Sequence, residues 1–405
     1  MKRICPGRPA GILCALLFVL SCGRTEAEGA SELRIQPPLK ELFRNDFSFG
    51  CLLSYAHIGF PSDPPVRGQS RIAAPGGGEL VSYHMNSMSP GNWMKPAYIV
   101  DIEASARNYA DAVTADEKYY AETHPVVRFN GNITAQLNWA RRQGFSFRGH
   151  TLVWHNQTPG TAFFRSGYGE NRPYLDKAVM TDRMKNYIDE VFRIIHEGWP
   201  GLLTAMDVVN EAVNDNGTER SRSEWYRTFG DGSYVFRAFE FARQSSAHYG
   251  ETQISLYYND YNTHKPAKAD GIVRLCGPIY KAGFLDGIGM QEHDALGSPT
   301  RQQWIASYDK FDRICSEMSV TELDVNPGNP PDYLRQADQY SMLITCFLER
   351  SSRSGRGKIV NVSKDGLNDQ WAFVKGASLW DADNNPKPAF YAVVNAVERY
   401  YDDRP

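Results

Sequence analysis

The stretch TAMDVVNEAVNDNG, residues 204–217, begins as an apolar run with β-branched residues and then sets an amide, Asn210, beside a carboxylate, Glu211. One such run says little, but it belongs to a series. Beyond residue 40 the chain repeats a short apolar run, a loop with polar or aromatic residues, and a longer amphipathic segment. The predicted strands are FSFGCLLS (47–54), GELVSYHMN (78–86), FSFRGHTLVWH (145–155), TAMDVVNE (204–211), ISLYYNDYN (254–262), DGIGMQEH (286–293), MSVTELDVN (318–326) and KIVNVSKDG (358–366). Helical segments lie between them; in residues 182–199, Met184, Ile188, Val191 and Ile195 recur at spacings of three and four. Eight strands alternating with helices predict an α/β fold, a (β/α)8 TIM barrel. Its strand ends, mostly His, Asn, Glu, Asp or Trp, would all open on one face. A doubly wound sheet is the alternative, but no glycine-rich phosphate loop follows the first strand.

Composition is that of a globular protein: 405 residues, 42% hydrophobic and 22% charged, enough core for one large domain. A net charge of -3 and the lack of any run of five basic residues point away from nucleic acid. Aromatic residues make up 12%, with 8 Trp and 22 Tyr, a composition suited to stacking on flat ligands such as sugars, although core packing is the commoner use of any single ring. Residues 1–21 read as a signal peptide: Lys2, Arg3 and Arg8 precede the apolar PAGILCALLFVLSC, which is too short to span a membrane. Its end resembles the site where bacterial lipoprotein precursors are cut before a lipidated cysteine, here Cys22; ordinary secretion is the alternative. Residues 22–38 then form a tether, and 39–405 a single catalytic domain displayed at the bacterial surface or in the periplasm, touching membrane only through the lipid. Cys51, Cys276, Cys315 and Cys346 have no paired spacing, so no disulfide is assigned.

The seventh predicted strand also ends in a carboxylate, Glu322 in SVTELDVN. A lone Glu at a strand end is usually a surface or salt-bridged residue. Two of them, on the fourth and seventh strands of one barrel, would face each other across its mouth, as two-carboxylate cleavage of a glycosidic bond requires.

DVVNEAVNDNG, SVTELDVN, RGHTLVWHNQTP, LYYNDYN and DGIGMQEH, with NNPKPAFYAVVNAV near the end, resemble the signatures of glycoside hydrolase family 10, the retaining endo-β-1,4-xylanases. The resemblance runs from about residue 40 to the C-terminus. It implies a xylan or xylo-oligosaccharide substrate, Glu211 as acid/base and Glu322 as nucleophile. Catalytic support would come from Asn210, on the sugar 2-hydroxyl, and from His293 and Asp324, which flank the nucleophile. Asp324 lies two residues past Glu322, on the same strand face, and an imidazole held by one carboxylate can donate to a second. A core histidine is the alternative for His293. Glu211 must keep its proton for the leaving oxygen and then serve as base, and a negative Glu322 nearby opposes its ionisation. The resemblance also implies sugar contacts from Asn92, Lys95, His150, Trp154, Gln291 and Trp371, and an aglycone-side platform of Asn259 and Tyr261. No metal or cofactor is expected: no HExxH or paired Cys/His spacing occurs, and the two histidines of HTLVWH fall on opposite strand faces.

Three departures stand out. SPGNWMKP keeps Asn92 and Lys95 but has Gly91 where the family carries an acid; VSKDGLNDQWAF has Asp365 where it carries a tryptophan; and Met206 replaces another tryptophan. The sugar-holding wall is therefore expected to be altered. That leaves three readings: a xylanase with unusual glycone subsites, a retaining hydrolase of another β-linked glycan, or a non-catalytic glycan-binding protein on the same barrel.

Overall fold

The structure, a computed structural model, describes residues 36–58 and 76–403; the leader, its cysteine and most of the tether lie outside them. Eight parallel strands close into a barrel surrounded by helices. They are β1 (Ser48–Leu53), β2 (Ser87–Pro90), β3 (Ser146–Trp154), β4 (Leu203–Asn210), β5 (Ser255–Asp260), β6 (Gly287–Met290), β8 (Glu317–Asn326) and β9 (Lys358–Asp365). The barrel closes through the β1–β9 and β6–β8 pairings. The three-residue β7 (His293–Ala295) continues beyond β6 and pairs with the end of β8, setting His293 opposite Asp324.

These strands are covered on both faces, by barrel interior and by helices, so they read as near-continuous apolar runs. The outer helices bury one stripe each. In Lys177–Gly198, whose start is capped by Asp176 accepting from the Val179 N–H, the buried side chains include Met184, Ile188, Val191 and Ile195.

One predicted strand is wrong. GELVSYHMN is mostly helix, Gly77–His84, which buries Leu80, Val81 and His84 at helical spacing, and the strand is the next segment, Ser87–Pro90. Val and Tyr favour strand locally, but packing of the i, i+1, i+4 face overrode that preference. The true strand has four fully buried residues and no β-branched one, so it carries no periodic signal. It lies so close to β1 that a Cβ on Gly50 would stand 2.2 Å from Ser87 Oγ, and only glycine fits there.

Register shifts interrupt three pairings, and the last shift in each falls between His150 and Val153 on β3, between Asp207 and Val209 on β4, and between Val320 and Leu323 on β8. Each lies at or just before the strand-end residues singled out above. An extra residue in one strand bends it and re-aims the side chains that follow. Met206 is fully buried, against Gly149, and so is core rather than part of any sugar-holding wall. Cys51, Cys276, Cys315 and Cys346 are free and buried.

Candidate active site

At the C-terminal mouth of the barrel the two glutamates join one hydrogen-bond network. Gln291 Nε2 donates to Glu211 Oε1 at 3.0 Å and to Asn210 Oδ1 at 3.3 Å. Asn259 Nδ2 donates to that same Asn210 oxygen at 3.0 Å and to Glu322 Oε1 at 3.2 Å. With two donors on its oxygen, the Asn210 amide has one orientation, and its Nδ2 lies toward Glu211 Oε1 at 3.2 Å. Trp154 adds its indole N–H to Glu211 Oε2 at 3.0 Å.

The chain leaves β4 through Glu211 in a left-handed conformation, φ 56. A non-glycine residue pays for that conformation and needs support from its surroundings. Here the Glu211 N–H donates to the Asn259 carbonyl at 2.9 Å, and Arg220 Nε donates to the Glu211 carbonyl at 2.8 Å.

His293 stands between two carboxylates, its Nε2 3.4 Å from Glu322 Oε2 and its Nδ1 3.3 Å from Asp324 Oδ2. Burial works against a charged imidazole, but Asp324 and Glu322 together raise His293 well above the usual histidine range. For Glu322 burial pushes the other way, and the bond from His293 with the charges of His150, His293 and Lys95 brings its carboxyl down to about 2. Glu322 is therefore ionised at any working pH.

The remaining predicted contacts divide into mouth and floor. Lys95 Nζ donates to Asn92 Oδ1 at 2.9 Å and lies 4.7 Å from the centre of the Trp154 ring. Burial lowers its basicity, against the pull of Glu322, Glu211 and Asp365. Trp371 is half-buried beside His57, ring centres 4.8 Å apart. Tyr261 is half-buried at the rim, its ring under Lys268 Nζ and its hydroxyl accepting from Arg220. Asn259 is no platform: it is fully buried, and its oxygen accepts from Thr321 Oγ1 at 2.9 Å, so it builds the floor under both glutamates. His150 is likewise buried and gives Nδ1 to Asp207 Oδ2 at 2.8 Å.

Sequence reasoning missed several of the partners. Asp207 is fully buried and pairs with Arg148 as well as His150. The signal was there, since a charge in the middle of the apolar runs FSFRGH and AMDVV must find an opposite charge. Gln157, just past β3, accepts from Lys95 Nζ at 2.8 Å. His155 lies 3.8 Å from Glu211 Oε2; burial and the charge of Arg220 lower it to about 4, so it is neutral at pH 7. Among the described residues no group of three or more His, Cys, Asp or Glu side chains is placed to hold a metal ion.

Barrel, strand ends and paired glutamates define a class, the (β/α)8 glycoside hydrolases. Comparison with known proteins narrows it: the sequence pattern of glycosyl hydrolase family 10 matches residues 39–396, and the chain belongs to that family. Endo-1,4-β-xylanase Y of Acetivibrio thermocellus is 32% identical over 89% of this chain, which spans only 32% of that protein. Endo-1,4-β-xylanase of Geobacillus stearothermophilus is 29% identical, with 89% of this chain and 98% of the relative covered. Among solved structures, the N-terminal endo-1,4-β-D-xylanase 10B modules of Clostridium thermocellum complexed with xylohexaose superpose with a TM-score of 0.75 at 29% identity, covering 89% of this chain and 67% of that one. An intracellular xylanase of Thermoanaerobacterium saccharolyticum gives 0.70 at 25% identity, over 88% and 98%.

Proposed function

We propose that this protein is a retaining endo-1,4-β-xylanase in which Glu322 is the nucleophile and Glu211 the acid/base. The observation that carries the division of roles is the unequal company of the two carboxyls. Glu322 is held ionised by a histidine that Asp324 keeps charged, whereas the donors on Glu211 are an indole and two amides, with a neutral histidine beside it.

In the first step Glu322 attacks the anomeric carbon as the glycosidic bond breaks, and Glu211 gives its proton to the departing oxygen. In the second, water attacks the same carbon while Glu211 takes the water's proton, and the bond to Glu322 breaks. Asn210, fixed by Asn259 and Gln291, offers an N–H to the sugar's 2-hydroxyl, where a bond that strengthens in the oxocarbenium-like transition state lowers the barrier.

Reducing-sugar release from xylan, glucan and mannan tests the substrate, and proton NMR of the first product tests the mechanism. Xylan cleavage with the β-anomer appearing first is expected. First appearance of the α-anomer would refute the nucleophile. Glucan and mannan are the comparison substrates because Gly91 and Asp365 stand where the family resemblance places an acid and a tryptophan. Residues 1–21 would export the chain and Cys22 would carry the lipid. Cys22→Ala should then release the protein from membranes or stop its maturation, and unchanged partitioning would rule the anchor out.

A further inference from the structure

Arg148 is a charged side chain buried in β3, inside the barrel. Asp207 takes one edge of its guanidinium, accepting from Nε at 3.1 Å and also from Nη2. That pairing accounts for the charge, but Nη2 has a second acceptor: it donates to Asn259 Oδ1 at 3.3 Å. Thr321 Oγ1 donates to the same oxygen at 2.9 Å. Gly289 keeps the meeting point clear, since a Cβ there would stand 2.4 Å from Asn259 Oδ1, 3.0 Å from Arg148 Nη2 and 3.1 Å from Thr321 Cγ2. Residues of β3, β5, β6 and β8 thus converge on one side-chain oxygen beneath the mouth.

A carboxamide fills the same space when its oxygen and nitrogen are exchanged, so shape does not decide which end faces Glu322. The partners differ in what they can read. A hydroxyl donates or accepts, so Thr321 suits either orientation, whereas a guanidinium can only donate. At the other end the ionised Glu322 can only accept, and it takes Asn259 Nδ2 at 3.2 Å. Arg148 and Glu322 therefore specify one orientation from opposite ends of the amide. Once Glu322 is bonded to the sugar its charge is gone, and a hydrogen bond to a neutral acceptor is roughly half as strong as one to a carboxylate. From that point the orientation depends on Arg148.

We infer that Arg148 is a positioning residue whose hold on Asn259 keeps Asn210 and Glu322 in place through the second step of the reaction, the hydrolysis of the glycosyl-enzyme. The inference rests on the proposed role of Glu322 as nucleophile. Asn259 Nδ2 also donates to Asn210 Oδ1 at 3.0 Å, so an amide that turned over would set its oxygen against the Asn210 oxygen and loosen the proposed 2-hydroxyl contact. Loss of Arg148 should therefore slow the breakdown of the intermediate and spare its formation, during which Glu322 still carries its charge.

Steady-state and stopped-flow kinetics on an activated aryl β-xylobioside test this. Arg148→Met should lower kcat about tenfold, the scale of one lost hydrogen bond, and lower KM in step, so that kcat/KM, which reports formation of the intermediate, stays within about twofold of wild type. A burst of aryl alcohol should precede the slowed turnover. Gly289→Ala reaches the same oxygen from another strand while Asp207 keeps its partner. It should give the same signature, and it decides the matter if Arg148→Met does not fold. Arg148→Lys, which still donates, should recover most of kcat, and Thr321→Val should match wild type. A kcat/KM that falls as far as kcat, with no burst, overturns the inference, as does a Thr321→Val as slow as Arg148→Met. Labelling wild type with a 2-fluoro xylobioside separates this inference from the reading beneath it. An adduct on Glu322 upholds the nucleophile and leaves the variants to decide the role of Arg148; an adduct elsewhere, or none, refutes the nucleophile and this inference with it.

Discussion

The side-chain amide of Asn259 donates to Glu322 Oε1 at 3.2 Å, from a position with no exposure to solvent. Because the same nitrogen donates to Asn210, this one amide sets the spacing of Asn210 and Glu322, the proposed 2-hydroxyl contact and the proposed nucleophile. Asn259→Asp would put a third carboxylate against Glu322 in a buried site, where like charges oppose ionisation. Activity should fall about a hundredfold, more than for Asn259→Ala, because the new charge adds repulsion to the lost hydrogen bond. The acid limb of the kcat/KM profile should also move to higher pH in Asn259→Asp only. A profile unmoved from wild type would mean that Asn259 acts by packing alone.

Glu211→Ala and Glu322→Ala should fail differently. With an activated aryl glycoside the leaving group needs no proton, so Glu211→Ala should still release aryl alcohol in a burst and then stall at the covalent intermediate. Glu322→Ala should show neither burst nor turnover on that substrate or on xylan. Stopped-flow absorbance reads the burst directly, and equal losses for the two variants would contradict their assigned roles.

Glu292 and Asp294 flank His293 in the chain, and both are buried. Burial pushes the Glu292 carboxyl up from 4.5 to about 7, and burial with the charge of Glu292 raises Asp294 well above the carboxylate range. A carboxyl that holds its proton more tightly folded than unfolded stabilises the fold below its unfolded pKa, and that contribution is lost as pH rises through the folded value. Wild type should therefore lose stability between pH 4.5 and about 7. Glu292→Gln removes that dependence, so it should gain on the order of 1–3 kcal/mol over wild type at pH 8, and the gain should vanish near pH 4. Urea melts at the two pH values provide the check.

Gly91 occupies the place of the family's acid for no steric reason. A Cβ there would meet only the Leu53 carbonyl, 3.5 Å from its oxygen, which is ordinary contact. Gly91→Glu should therefore fold with an unchanged melting temperature and set an acceptor near Asn92 and Lys95. KM for a three-sugar oligosaccharide should fall several-fold, as expected for one added polar contact of about 1 kcal/mol. No change would mean that the glycone wall has been rebuilt without need of the acid.

How much of this was legible in the chain follows from the range over which each feature is written. Asn210 and Glu211, Glu322 and Asp324, and Gln291 and His293 lie within two residues of one another, at the ends of short apolar runs whose length and β-branched residues announce strands. Eight such runs, read with the helices between them, determine a barrel whose strand ends must converge, because a parallel barrel has one C-terminal face. The exception, Gly77–His84, was misread because local β preference and helical spacing disagreed, and only packing decided between them.

What the linear sequence could not decide is which side chain meets which across the barrel. Asn259 to Glu322, Arg148 to Asp207 and Trp154 to Glu211 are contacts across 57 to 63 positions, fixed by strand order and by register shifts that no local pattern encodes. Tertiary structure therefore made Asn259 a floor residue rather than a rim residue, and buried Met206 in the core. It likewise set Arg148 and Thr321 on the Asn259 oxygen. A hydrogen bond depends on atoms within about 3 Å, and only barrel closure brings atoms so distant in sequence that near.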